Sequence, residues 1–530
     1  LLRFGVVAAI ALTLSACGGG EQDTTNLLNR GMGTEPASLD VHKAMTGPAT
    51  DVQRDLGEGL TGYDANGNLV LAAAERMQIS EDGLEYTFWL RPNGRWSNGD
   101  PVTAADFVYS FRRLADPATA AFKAQALGDV SNAAAIISGD MPPEALGVEA
   151  VDPLQLKITL SLPIPYFKGL LTHPSTFPVH RASVEAHGNA HARPGNLISN
   201  GAYRLRDWRV GSFIEVERNE HYWNNERTSI DVVRHQVSPE PTAELNRYRA
   251  GELDTTASVP PEAFAQMREE RPDELKVSPF LAVYYYGFNL SREPFKSNPK
   301  LRQALSMAID REALTANVTG RGEAPAYGWV PPGTTNYEPR RFLYADMSKK
   351  QRQQTARQLY QESGYSDANP LEVEIRYNTS DVQKRVAETV QSMWQDVLGF
   401  KATLVNEELQ VLIANVTAAE ETEVFWLSWR GDYDDAHAFL SMLESDNPSN
   451  LVRYTNEEYD GLMEKAAVQT DAGLRKSYLE EAEKLMLADH PLIPLYFYVN
   501  KNMVSPRVQG WGDNVLNYHY SQHLSLSASD

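Results

Sequence analysis

The chain has one cysteine in 530 residues, Cys17, so it can form no internal disulfide and no thiolate metal cage. It has no apolar run of the ~20 residues that a membrane-spanning helix needs. Basic residues are few beside acidic ones, 49 Lys and Arg against 70 Asp and Glu, for a formal net charge of −21. That balance excludes the basic footprint of a nucleic-acid binder and argues against adsorption on anionic lipid through the protein surface. No P-loop, HExxH or GxSxG pattern is present. The eleven histidines are scattered along the chain, so neither a metal nor a cofactor is expected. Stability must then come from the core, for which 42% hydrophobic residues and room for two or three domains suffice.

What is present begins with Arg3 and the apolar stretch from Phe4 to Ala16, ending in Leu14-Ser15-Ala16-Cys17. A basic start, a short apolar middle and small residues before the cut make a secretory signal. Small residues followed by cysteine resemble the lipobox of bacterial lipoproteins. The resemblance implies cleavage after residue 16 and a diacylglycerol on the Cys17 thiol. Gly18-Gly19-Gly20 and the polar residues 21–25 suit a flexible tether, and the linker is read as 17–31. The expectation is an exported protein of the periplasm or cell envelope, held to a membrane only through Cys17.

Alternation predicts strands at Tyr86, Phe88 and Leu90, at Leu154 to Leu160, and at Ile214 and Val216. Thr103, with Asp106 three residues on, caps a helix whose apolar face is Phe107, Phe111 and Leu114. The second half is more regular. Strands at 371–375, 400–405 and 424–429 alternate with a helix bearing Val386, Val390, Met393 and Val397, and with another over 409–416. Thr379 or Ser380 caps the first of these helices and Gly399 stops it. Strand, helix, strand, helix, strand predicts right-handed parallel crossovers and an α/β domain. Ligands of such sheets collect beyond the carboxyl ends of the strands, where Trp429-Arg-Gly-Asp432-Tyr433-Asp434-Asp435 lies.

Gly57-Glu-Gly-Leu-Thr-Gly62 spells the dinucleotide pattern, but it follows a helical stretch and enters a turn, the reverse of the required strand-to-helix context. It reads better as a helix end. Asp432, Asp434 and Asp435 lack the glycine and distal glutamate of a calcium loop. They remain open to three readings: a general acid–base pair as in glycoside cleavage, a solvated acidic turn, or an anion awaiting a cationic ligand between Trp426 and Trp429. In Tyr284-Tyr285-Tyr286, alternate rings face opposite sides of a strand, one side for the core and one for a cleft.

Several long stretches together resemble the periplasmic oligopeptide-binding proteins of ATP-driven importers, solute-binding protein family 5. They are Gly33-Thr-Glu-Pro-Ala-Ser-Leu-Asp40, the segment Trp96 to Arg113, Asn200-Gly-Ala-Tyr203, Tyr222-Trp-Asn-Asn225, Tyr284-Tyr-Tyr286, Tyr377-Asn-Thr-Ser-Asp381 and Gly431-Asp-Tyr433. The resemblance implies an α/β, periplasmic-binding-protein-like clam of type II with three domains around a cleft. Domain I would comprise 32–57, 181–280 and 500–530, domain II 58–180, and domain III 281–499. It implies a peptide held along its main chain as an added strand, which gives affinity with little sequence selectivity.

Carried over by residue, Asp432 pairs with the peptide ammonium, and Trp429 and Tyr284 line the same cleft. An arginine and a histidine that hold the peptide carboxylate in relatives are replaced here by Trp426 and Gln383, with Arg430 as a substitute. The expected function is a monomeric, non-catalytic receptor that captures short peptides and delivers them to membrane permease subunits of an ABC importer. The rivals are the same fold with another cargo (murein peptide, dipeptide, nickel complex or oligosaccharide), a hydrolase using Asp432 with Asp434 or Glu58, and a chaperone-like protein. A carboxylate aimed at an ammonium favours the peptide.

Overall fold

The computed structural model describes residues 26–44, 46–419, 422–431 and 433–527. Cys17 and Asp432, both named above, lie outside the described residues.

Buried apolar side chains fall into separate clusters. The largest draws on residues 281–497, with Tyr63, Leu516 and Tyr520 added from elsewhere in the chain. A second is built from residues 60–171. A third joins residues 28–56, 192–233 and 504–526, and a small fourth joins residues 245–275 to Met503.

In the second cluster the predicted alternation holds. Strand Glu85–Leu90 buries Tyr86, Phe88 and Leu90, and it pairs antiparallel with Ala74–Ile79 and Gln155–Thr159. Helix Ala104–Ala115 covers this sheet with Phe107, Phe111 and Leu114 fully buried. The Asp106 carboxylate accepts the Thr103 N–H at 2.8 Å, closing the expected capping box.

The third cluster rests on a four-stranded sheet in the order Leu27–Gly31, Val232–Gln236, Phe213–Arg218, Tyr203–Arg209. Residues 27–31 were assigned to the linker, and the structure corrects this. They form a strand parallel to 232–236 with Leu28 fully buried, because an apolar side chain next to a free ladder edge gains more by pairing than by staying solvated. Gly57 ends helix Gly47–Leu56, its N–H bonding to the Gln53 carbonyl at 2.8 Å. The chain then enters the short strand Thr61–Tyr63, an order that a phosphate-cradling loop does not have. These glycines serve close approach instead: a Cβ on Gly59 would stand 2.8 Å from the Leu171 carbonyl oxygen, and one on Gly201 would stand 2.7 Å from the Gly57 nitrogen.

The largest cluster surrounds a six-stranded mixed sheet in the order Ala324–Pro325, Leu492–Met503, Leu275–Phe288, Val424–Arg430, Glu374–Asn378, Thr403–Glu407. Strand 374–378 runs parallel to both of its neighbours, with helices Asp381–Leu398 and Leu409–Ala418 as the crossovers. The expected α/β unit is therefore present. Two strands begin three residues later than their apolar runs. Leu371 is buried, but its N–H goes to the Tyr360 hydroxyl at 2.8 Å instead of to the ladder. Ser380 is the N-cap of the first crossover helix, and Gly399, at φ 82°, terminates it in the left-handed conformation that glycine tolerates.

Strands 275–288 and 492–503 are the long members. Their outer ends, Leu275 and Met503, belong to the small fourth cluster, and their inner halves to the largest. Between Pro279 and Val283 their mutual register breaks, and Leu281 donates its N–H to the Val515 carbonyl at 3.0 Å. Two paired strands thus pass from one body to the other with a break in the ladder where they cross, the geometry of a hinge.

Candidate functional site

The continuous register between 282–288 and 424–430 fixes which side chains share a face. Ala282 stands opposite Arg430, Tyr284 opposite Ser428, and Tyr286 opposite Trp426. Directly paired residues project to the same side, so Tyr284, Tyr286, Trp426 and Arg430 lie on one face, and Val283, Tyr285, Leu427 and Trp429 on the other.

The first face is an aromatic floor. Tyr284 is fully buried, stacked on Tyr496 at 4.5 Å between ring centres, with Trp426 at 5.7 Å, Tyr286 at 6.1 Å and Tyr498 at 6.4 Å. Burial, with Tyr286, Tyr496 and Tyr498 close by, pushes the Tyr284 hydroxyl well above its ordinary pKa. The hydroxyls of Tyr284 and Tyr286 and the Trp426 Nε1 are all buried without a hydrogen bond of proper geometry. A buried polar group left unpaired costs about 1–3 kcal/mol, so this face carries polar atoms that the fold does not fully satisfy. Arg430 continues this face at its exposed end, its guanidinium 4.8 Å from the Phe280 ring centre. It lies four positions along the strand from Trp426, roughly 13 Å at the usual rise.

The reading in which Trp426 and Trp429 wall one pocket is corrected. A spacing of three along a strand sends the two indoles to opposite sides. Trp429 is half-buried, and its Nε1–H bonds to the Ala438 carbonyl at 2.7 Å. On its side Tyr285 meets Trp329 edge-on at 5.0 Å, and Trp329 Nε1–H bonds to the Phe439 carbonyl at 2.8 Å. Gln383 sits in the first turn of helix 381–398, with its Oε1 buried and unbonded.

Beyond strand 424–430 the described acids are engaged. Asp434 accepts from the Thr335 N–H at 2.9 Å and the Thr335 hydroxyl at 2.6 Å, and burial raises its pKa. Asp435 takes a bidentate pair from Arg475 at 2.7 and 2.9 Å. Glu58 belongs to another part of the molecule, where its carboxylate accepts the Tyr222 hydroxyl and the Trp223 Nε1–H, each at 2.7 Å. Burial pushes it up to about 7, against the pull of those two donors. Asp434, Asp435 and Glu58 are thus each held by structural partners.

A cavity of about 480 Å³ opens next to the Asp434 segment, within the range of small-ligand sites. One wall carries Leu69, Tyr166 and Lys168, and the other Tyr63, Thr335, Tyr433, Asp434 and Arg475. It therefore lies between the body built on residues 60–171 and the largest one. The sequence reading missed Tyr496 and Tyr498, although Leu495-Tyr-Phe-Tyr-Val499 carries the alternation that could have revealed them. It also missed Tyr166, whose role depends on a neighbour far away in the chain.

The fold and this site are those of a clam-like solute receptor. The chain belongs to the bacterial extracellular solute-binding proteins of family 5, whose middle-region model matches residues 68–450. It is 36% identical over 536 residues to the periplasmic oligopeptide-binding protein OppA of Escherichia coli (strain K12), covering 99% of this chain and 98% of the relative. It is 37% identical over 482 residues to the periplasmic murein peptide-binding protein MppA of the same strain, covering 91% and 89%. Among solved structures, it matches the unliganded open form of the murein tripeptide-binding protein MppA with a TM-score of 0.88 at 36% identity, covering 95% of this chain and 98% of that one. Haemophilus influenzae OppA in complex with the peptide RPPGFSPFR gives 0.75, also at 36% identity, covering 95% and 99%. The similarity is greater to the open form.

Proposed function

We propose that this chain is an extracytoplasmic receptor that binds short peptides in the cleft between its lobes and delivers them to the permease of an ABC importer. The observation that carries the reading is the likeness, over almost the full length in both sequence and fold, to receptors named for oligopeptides and murein peptides. The cavity of about 480 Å³ beside the Asp434 segment supports it with room for a small ligand. In this reading Asp432 receives the peptide ammonium, Tyr284 and Trp429 line the cleft, and Arg430 holds a peptide carboxylate. Trp426 and Gln383 supply no charge for that carboxylate.

The three-domain division, at 57/58, 180/181, 280/281 and 499/500, belongs to the same proposal, and so does a lipid anchor on Cys17. Relatives named as periplasmic agree with an exported protein, and among the described residues no helix is long and apolar enough to cross a membrane. The receptor acts by hinge closure, without a covalent step and as a monomer. A murein peptide is the second reading, favoured by the likeness to MppA.

Calorimetric titration of residues 18–530, unfolded and refolded to strip trapped ligand, tests this with tri- to pentapeptides, each beside its N-acetylated form. One-to-one binding that acetylation abolishes is the expected result. Binding of a murein tripeptide alone would select the second reading, and no binding of any peptide would overturn both.

A further inference from the structure

The cavity between the two bodies contains a contact that ligand binding leaves unexplained. Tyr166 precedes the short helix Phe167–Leu170 and packs against the cluster built on residues 60–171. Its ring also stacks on two rings of the other body: on Tyr433 at 5.0 Å and 10° between planes, and on His437 at 4.5 Å and 23°. The Tyr433 hydroxyl lies 2.9 Å from His437 Nδ1. Burial pushes His437 down to about 4, so near neutral pH the ring is uncharged and Nδ1 can accept that O–H. The Arg475 guanidinium stands 5.9 Å from the Tyr166 ring centre. The Gly169 backbone passes so close that a Cβ there would lie 3.6 Å from that of Tyr433.

Further ties of the described residues around Tyr433 come from their own body. The Gly431 N–H bonds to the Leu281 carbonyl at 3.0 Å, Asp434 to Thr335 and Asp435 to Arg475. These ties are polar and local. The stack on Tyr166 is aromatic and reaches across the cavity, and each such ring pair shifts an equilibrium roughly two- to tenfold. A side chain from one body that grips both Tyr433 and His437 transmits a displacement of that body to the segment directly after Asp432 in sequence.

We propose that Tyr166 is a positioning residue: by stacking on Tyr433 and His437 it couples the body built on residues 60–171 to the ammonium-binding end of the cleft. The coupling rests on the structure, and its bearing on ligand capture rests on the peptide reading above. Tyr166 need not touch the ligand to act.

The test compares Tyr166→Ala, Tyr166→Leu and Tyr166→Phe in the full chain by hydrogen–deuterium exchange without ligand, and by titration with a tripeptide and its N-acetylated form. The Ala and Leu variants should exchange several-fold faster over 431–438 and no faster over strand 85–90. Affinity for the free peptide should fall about tenfold and for the acetylated one much less, while Phe, which keeps the ring, restores both. Leu carries the test if Ala does not fold. Unchanged exchange over 431–438 would overturn the coupling, and equal losses for both peptide forms would overturn the positioning role. If the wild-type chain binds neither peptide, the peptide reading fails on its own and the exchange measurement still decides the coupling.

Discussion

The two faces of the strand pair 282–288 and 424–430 carry similar side chains and treat their polar atoms differently. On the face of Trp429 and Tyr285, the indoles of Trp429 and Trp329 both reach backbone carbonyls, and the Tyr285 hydroxyl lies 4.0 Å from the Met442 sulfur. On the face of Tyr284, Tyr286 and Trp426, none of the three polar atoms makes a hydrogen bond of proper geometry, and the two tyrosine hydroxyls interact with each other. Both faces bury aromatic surface, so hydrophobicity does not distinguish them. Satisfaction does: one face is completed by the fold, and the other is not.

The largest effect should come from breaking the completed face. Trp329→Ala removes a fully buried indole and its bond to Phe439, and should cost about 3–5 kcal/mol of stability in urea unfolding. A smaller loss would mean that this side can collapse around the gap. On the ligand side, Asp432→Asn should weaken binding of a free tripeptide by roughly 2–5 kcal/mol through loss of a buried charge partner. Calorimetry showing unchanged affinity would remove Asp432 from the site.

Glu58 lies on neither face and serves as a control. Its folded pKa of about 7 is above the ordinary 4.5, so between those values the native state holds a proton that the unfolded chain has released. Its contribution to stability therefore falls as pH rises through that window, by on the order of 1–3 kcal/mol. Glu58→Gln should flatten the fall in urea midpoints between pH 4.5 and 7.5 without touching peptide affinity; an unchanged pH profile would refute the burial argument.

The smallest effects sharpen the contrast most. Tyr337, behind the completed face, gives its hydroxyl to buried Glu483 at 2.7 Å, and Tyr337→Phe should lose about 1–2 kcal/mol. Tyr284→Phe removes a hydroxyl without a hydrogen bond of proper geometry, so stability should stay within about 0.5 kcal/mol while peptide affinity drops. If both variants destabilise equally, the two faces do not differ in the way described.

Much of this was legible in the residues. The crossovers of the α/β unit follow from local periodicity, and Ser380, Gly399 and the Thr103–Asp106 box set helix ends through contacts only a few residues apart. The two faces were not legible in the same way. Reading Trp426 and Trp429 as walls of one pocket ignored the two-residue period of the strand they share. Finding that Tyr284 stacks on Tyr496 requires a pairing across more than 200 residues. The late start of strand 374–378 had the same kind of cause, since a hydroxyl from a preceding helix claimed the Leu371 N–H.

Strands 275–288 and 492–503 have one more consequence, for how the molecule melts. Each body borrows part of its hydrogen-bonded framework from a strand whose other half is buried in its neighbour. Neither can lose its order without fraying a strand whose other half its neighbour still holds, and no disulfide clamps either one separately. Heating should therefore give one calorimetric transition whose van't Hoff and measured enthalpies agree, although two separately hinged bodies would ordinarily be expected to melt in steps.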